Sequence, residues 1–211
     1  VSGYFDNLLL GDSKKLFDRA IELLESLGMQ KKKISIPHAA LIPPAHLATT
    51  RVENVSAHER YLRNQARDYS PDILYRHIHA MTIPAKLYVN AQKVRRLIME
   101  EFLAALKTVS VIVTPVSIPA PTIEECAQGF TVIEGKKINF HDIRGSYWGV
   151  SAIPFNITGL PAITICCGFS SSGLPVGLQI AGAPLDEVTV LQIASAYERS
   201  CQWQEIKPNL P

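Results

Sequence analysis

The chain has 211 residues, enough for one domain with a real core or for part of a larger one. Hydrophobic residues make up 47% and charged residues 19%, which excludes a disordered tail. A formal net charge of +2 is too small for a nucleic-acid footprint, and no apolar run approaches the roughly 18 residues of a membrane span. No secretory leader pattern opens the chain, so it reads as soluble and cytoplasmic. The four cysteines, Cys126, Cys166, Cys167 and Cys201, contain no C-x-x-C pair. Neither a disulfide framework nor a zinc site is expected; they read as small buried hydrophobes in a reducing compartment.

In chain order, Val1 to Phe5 reads as the end of a strand. Asp12 or Ser13 can cap a helix on which Leu16, Phe17, Ala20, Ile21, Leu24 and Leu27 recur at helical spacing, stopped by Gly28. Lys31-Lys32-Lys33 reads as a solvated connection rather than a nucleic-acid contact, and leads into a short strand at 34–36. The charge-rich stretch from Glu53 to Arg67 reads as a surface helix. Ser70-Pro71-Asp72 starts a short helix carrying Arg76 and His77, and Pro84 launches the longest one, to about Lys107. Its stripe is Leu87, Tyr88, Ala91, Val94, Leu97, Ile98, Phe102 and Leu106.

Val109 to Val113 is a continuous β-branched run, the pattern of a strand buried on both faces. The three prolines in 114–123 predict an extended loop leaving the sheet. Residues 124–146 read as an excursion with a hairpin turn at Glu134-Gly135. A short helix near 147–152, a strand at 162–167, a turn at 170–174, a strand at 175–182 and a helix at 186–200 complete the pattern. The expected class is α/β, a mixed β-sheet flanked by helices, with 1–211 forming one unit.

Residues 153–182 are dense in glycine and proline, with Ser170-Ser171-Ser172 between two strands. The cluster does not satisfy G-x-S-x-G, and no lysine or histidine lies near it in sequence, so it reads as an ordinary turn. His77 and His79 lie two apart on a helix, about 200° around its axis, and cannot chelate one ion together. His38, His46, His58 and His141 have no second ligand at a recognisable spacing. Phosphate-binding glycine motifs are absent. No metal and no cofactor is expected.

From Pro84 onward the order of features resembles the C-terminal half of the amidase signature family. Residues 91–96 look like the family's long helix, and "VIVTPVSIPAP" like its central strand and proline exit. "PFNITGLPAIT", "GFSSSGLPVGLQIAG" and "DEVTVLQIASAYE" resemble its closing segment in order and spacing. Glu53, in "TTRVENVSAHERY", resembles an acidic position of an earlier helix, and "VSGYFDN" with "ISIP" resembles the segment after the catalytic region.

The resemblance implies the C-terminal half of the amidase signature fold, an incomplete domain lacking the N-terminal catalytic half. Family members cleave amides with a serine, a second serine in a cis peptide and a lysine, all in that first half, so no catalytic residue is expected here and the chain alone is expected to be inactive. The quoted stretch then reads as scaffold and pocket wall. Phe155 and Asn156 are the side chains expected to face a substrate. Arg76 loosely resembles an arginine that anchors a substrate carboxylate in the tRNA-dependent amidotransferase branch, although the match needs a short gap and an ordinary surface arginine fits equally. Gly149 stands where that branch carries an aspartate, which favours a general amidase over the A-type subunit of a glutamyl-tRNA(Gln) amidotransferase. A non-catalytic interaction domain is a third alternative. The implied partners are a small amide substrate and the missing half, with self-association through the exposed partner surface.

Overall fold

The structure, a computed structural model, describes residues 4–5, 9–116, 120–140, 152–201, 203 and 206. It divides into two compact units, Val1–Pro37 with Glu101–Pro211, and His38–Glu100.

The first unit is built on a three-stranded sheet of β1 (Val111–Pro115), β4 (Ala162–Phe169) and β5 (Pro175–Gly182), in the order β1-β5-β4. Both pairings are antiparallel, so the parallel component expected of a mixed sheet does not come from these strands. Central β5 is buried over most of its length, as its continuous apolar pattern requires. Val176, Leu178 and Ile180 of β5 form one core with Leu16, Ala20 and Leu24 of α1 (Asp12–Ser26) and Val190, Ala194 and Tyr197 of α7 (Glu187–Cys201). Helix α7 lies against the sheet as the sequence predicts, and α1 joins it over this core. Across the sheet, Thr114, Gln179 and Thr164 share one row, where Gln179 Nε2 donates to Thr164 Oγ1 at 3.4 Å.

Glycine is required where β4 meets α1. A register shift falls between Cys166 and Gly168, where φ is +147°, and a Cβ on Gly168 would lie 2.5 Å from Leu16 Cδ2. The N-cap of α1 is Gly11 instead of Asp12 or Ser13, which leaves the Asp12 carboxylate for another partner. At 34–36 the expected strand is reduced to a single bridge at Ser35, since Pro37 has no N–H to continue a ladder. The lysines at 31–33 are exposed.

Beyond β1 the described residues of the predicted exit, 116 and 120–122, are irregular as expected, and helix α5 (Ile123–Gln128) opens the excursion that follows. Thr122 and Glu125 form a reciprocal capping box, and Gly129 closes the helix at φ +78°. Strands β2 (Phe130–Ile133) and β3 (Lys136–Asn139) follow as the expected hairpin. Glu134 at φ +51° and Gly135 at φ +76° give the left-handed turn that a two-residue hairpin needs. Ile138 packs in a small second core with Phe5, which lies in a turn with Tyr4; the other residues of the expected 1–5 strand lie outside the described set.

The second unit is helical. Helix α2 (Ile42–Asn64) begins well before the predicted surface helix, with prolines in its first turn where their missing N–H is harmless. Helix α3 (Pro71–Ala80) matches its prediction, except that Ser70 donates its hydroxyl to Asp72 at 2.7 Å instead of capping. Helix α4 (Ala85–Leu106) passes into the first unit. Tyr88 donates to Glu53 at 3.1 Å and Gln92 to Thr49 at 3.3 Å, fastening α4 to α2. Leu87, placed on the apolar stripe by spacing, is 52% exposed; it lies in the first turn, before Ala91 turns into the core.

Candidate functional site

The segment after β3 that carries the expected pocket wall is α6 (Ile153–Thr158), a six-residue helix opened by Pro154 and ended by Gly159 at φ +71°. Thr158 donates its hydroxyl to the Pro154 carbonyl at 2.7 Å, tightening the turn. The short helix expected near 147–152 begins among residues outside the described set, as does Gly149.

On α6 the two candidate side chains diverge. Phe155 is 3% exposed, with its ring edge-on to Phe102 at 5.8 Å between centroids. Asn156 is exposed, with its amide free to meet solvent or a ligand. One residue of helical rotation separates them, so Phe155 anchors the helix that presents Asn156. Arg76 is exposed on α3 and belongs to the His38–Glu100 unit. Its charge is felt by the half-buried Arg51 guanidinium, whose pKa falls through burial first and Arg76 second.

The serine turn has a different character. Ser170 and Ser172 share a hydroxyl hydrogen bond at 2.8 Å, and Ser170 Oγ accepts the Leu174 N–H at 3.2 Å. The Asp12 carboxylate accepts the Ser171 N–H at 2.7 Å and also meets its side chain. These bonds hold Asp12 below the usual carboxylate range, so it is a weak base for a hydroxyl proton. Among the described residues, no lysine or histidine bonds to the cluster. It is a turn, as its sequence predicts.

A separate open cleft of about 260 Å³ is lined by Cys166, Phe169, Pro175, Glu198 and Trp203, and neither Phe155 nor Asn156 lines it. The sequence missed another constellation. His58 of α2, Tyr69 and His77 of α3 form one ring cluster, although each histidine lacks a partner at a recognisable sequence spacing. The signal lay in position: His77 falls on the inner stripe of a short helix together with Ala80.

The family model for Amidase matches residues 6–191. The A-type subunit of the glutamyl-tRNA(Gln) amidotransferase of Thermodesulfovibrio yellowstonii is 34% identical over 214 residues, which cover 90% of this chain and 42% of that protein. A solved amidase structure superposes with a TM-score of 0.79 at 25% identity, covering 93% of this chain and 44% of the other. The structure of the corresponding amidotransferase subunit from Thermotoga maritima gives 0.60 at 28% identity, over 89% and 38%. The chain thus spans about two fifths of the length of the curated relatives it matches. The match over 6–191 and the shared α/β fold place the chain in the amidase signature family.

Proposed function

We propose that the chain serves as the C-terminal part of an amidase-family hydrolase that cleaves a carboxylic or aryl amide by serine nucleophilic catalysis. In this reading the nucleophilic serine, the serine in a cis peptide and the lysine lie outside these 211 residues. One observation carries it: the bonds of Ser170 to Ser172 close a turn, and the acidic group bonded to them is a carboxylate already lowered by that turn. Nucleophilic catalysis needs an activated hydroxyl, and among the described residues no lysine or histidine bonds to this cluster to supply a base. Asn156 then contacts the substrate amide and Phe155 backs it through Phe102; for Arg76, on the other unit, a role as carboxylate anchor rests on the family resemblance alone. The working complex holds this portion together with the earlier portion of the family fold, in the cytoplasm.

The C-terminal part of the A-type subunit of a tRNA-dependent amidotransferase is the second reading, favoured by the 34% identity to the Thermodesulfovibrio protein. The test is to assay the purified chain alone and with a polypeptide carrying the earlier family portion. The substrates are aryl amides and glutamine, with a fluorophosphonate probe for reactive serines. Turnover of aryl amides only in the combined sample supports the first reading, and turnover of glutamine alone supports the second. Stoichiometric labelling at Ser170, Ser171 or Ser172 in the lone chain, with turnover lost on change to alanine, overturns both.

A further inference from the structure

Helix α3 has ten residues, too few to persist in water without packing. Its buried side chains are His77 and Ala80, whereas Ile73, Tyr75 and Ile78 are exposed. The helix therefore docks through the His77 imidazole together with Ala80 and the partly buried Leu74. His77 lies 5.1 Å from the His58 ring and 5.5 Å from Tyr69, edge-on to the latter. His58 Nδ1 is 2.7 Å from the Tyr69 hydroxyl, and the Tyr61 ring lies 6.4 Å from His58.

The surroundings are cationic. Arg51 precedes His58 by two helical turns on the same face of α2, and its charge reaches His77. The exposed Arg76, next in sequence to His77, has Asp72 within electrostatic reach. The carboxylates of these elements are engaged elsewhere or exposed. Glu53 accepts from Tyr88, Glu59 pairs with Arg63 at 2.7 Å, Asp72 accepts from Ser70, and Asp68 faces solvent. Helix α4 meets this part of α2 through Tyr88 and Gln92, and its Arg95 adds positive charge near Tyr88.

We propose that the His58–Tyr69–His77 cluster is an acid-operated latch on the α2–α3 hairpin: neutral rings hold α3 against α2, and protonation of the imidazoles releases it. In the closed state the Tyr69 hydroxyl donates to His58 Nδ1. A proton on His77 sets a cation against the His58 ring, on the side where Arg51 already carries positive charge. No carboxylate among the described residues bonds to either ring to offset the charge. Burial pushes His77 below its ordinary value of 6.5, with His58 and Arg51 adding to the shift. A lowered folded-state pKa means that the neutral cluster's contribution is whole above the ordinary value. It is lost as pH falls through the folded-state value.

The experiment is amide hydrogen exchange along α3 in the full 211-residue chain at about pH 7.5 and about pH 5, corrected for intrinsic rates. Local opening should rise at the lower pH, read as a loss of protection along α3. His77→Phe and His58→Phe keep a ring that cannot titrate, and should erase this response. Tyr69→Phe should raise opening already at the higher pH, and His79→Gln, on the exposed face, should leave the response intact. Should the phenylalanine variants not fold, the imidazole NMR titrations of the unmodified chain must move in step with the α3 amides. Equal opening at both pH values, an acid response surviving both phenylalanine variants, or imidazole titrations out of step with α3 overturns the proposal.

Discussion

The Asp12 carboxylate accepts the backbone N–H of Ser171 at 2.7 Å, joining the first turn of α1 to the β4–β5 turn across 159 residues of chain. The Ser171 backbone bond is the largest cause of the carboxylate's lowered pKa, followed by the Ser171 side chain and, more weakly, Lys15. Because the folded-state value is depressed, the contribution is present above the ordinary 3.8 and lost as pH falls through the folded value. Asp12→Ala should lower the melting temperature by about 2 °C near neutral pH. Melting curves of the two proteins should converge in strong acid; a constant gap down to the lowest pH would show that the bond is not the cause.

Gly182 is the last residue of β5, under α7. A Cβ there would lie 2.6 Å from Val190 Cγ2 and 3.3 Å from the Asp186 carbonyl oxygen. The second contact is backbone, so the helix must move as a whole to relieve it. Gly182→Ala should destabilise by about 1–3 kcal/mol in urea titrations, and Gly182→Ala with Val190→Ala should recover part of that loss.

The cysteines should separate by reactivity. Cys126 is exposed, whereas Cys167 is buried and its thiol is pushed up to about 12, mainly by burial. Burial also raises Cys201. Timed alkylation of the native chain followed by peptide mass spectrometry should show Cys126 modified first and Cys167 only after denaturation. Early modification of Cys167 would place it outside the core.

Three apolar side chains stand in solvent at the start of α7: Leu185 at 90%, Val188 at 63% and Leu191 at 56% exposure. Apolar surface of this kind drives association. The purified chain should bind a hydrophobic dye and sediment as more than a monomer, and Leu191→Lys should reduce both signals. A clean monomer without dye binding would leave this face with no partner to seek.

Much of the first unit was legible because its signals are local. Continuous apolar runs marked β4 and β5, and Glu134-Gly135 marked the hairpin. Helix α5 was hidden by Pro119 and Pro121, although Thr122 and Glu125 spell a capping box just beyond them. The start of α2 was hidden in the same way, since Pro43 and Pro44 suggest a loop but suit a first turn. Of the candidate site, Asn156 lies exposed, while the burial of Phe155 depends on Phe102, which is distant in sequence. The His58–His77 contact was illegible for that reason too, because side-chain periodicity within one helix does not reveal its partner helix.

The strand order β1-β5-β4 fixes an order of assembly. Strands β4 and β5 are neighbours in sequence, and their turn closes through Ser170 N–H to the Leu174 carbonyl at 2.8 Å and Gly173 N–H to the Ser170 carbonyl at 2.9 Å. Strand β1 docks on the opposite edge of β5, pairing Val111 with Gly182, after a far longer loop has closed. Loop-closure entropy rises with length, by about 0.6 kcal/mol for each doubling. The hairpin therefore forms first and serves as the template on which β1 adds. Pulse-labelled exchange during refolding should protect β4 and β5 amides ahead of those in β1, and simultaneous protection would refute this sequence of events. A nascent chain emerging from the ribosome thus holds β1 unpaired until β5 has been made, and over that interval its Val-Ile-Val edge depends on chaperones or on speed to stay out of aggregates.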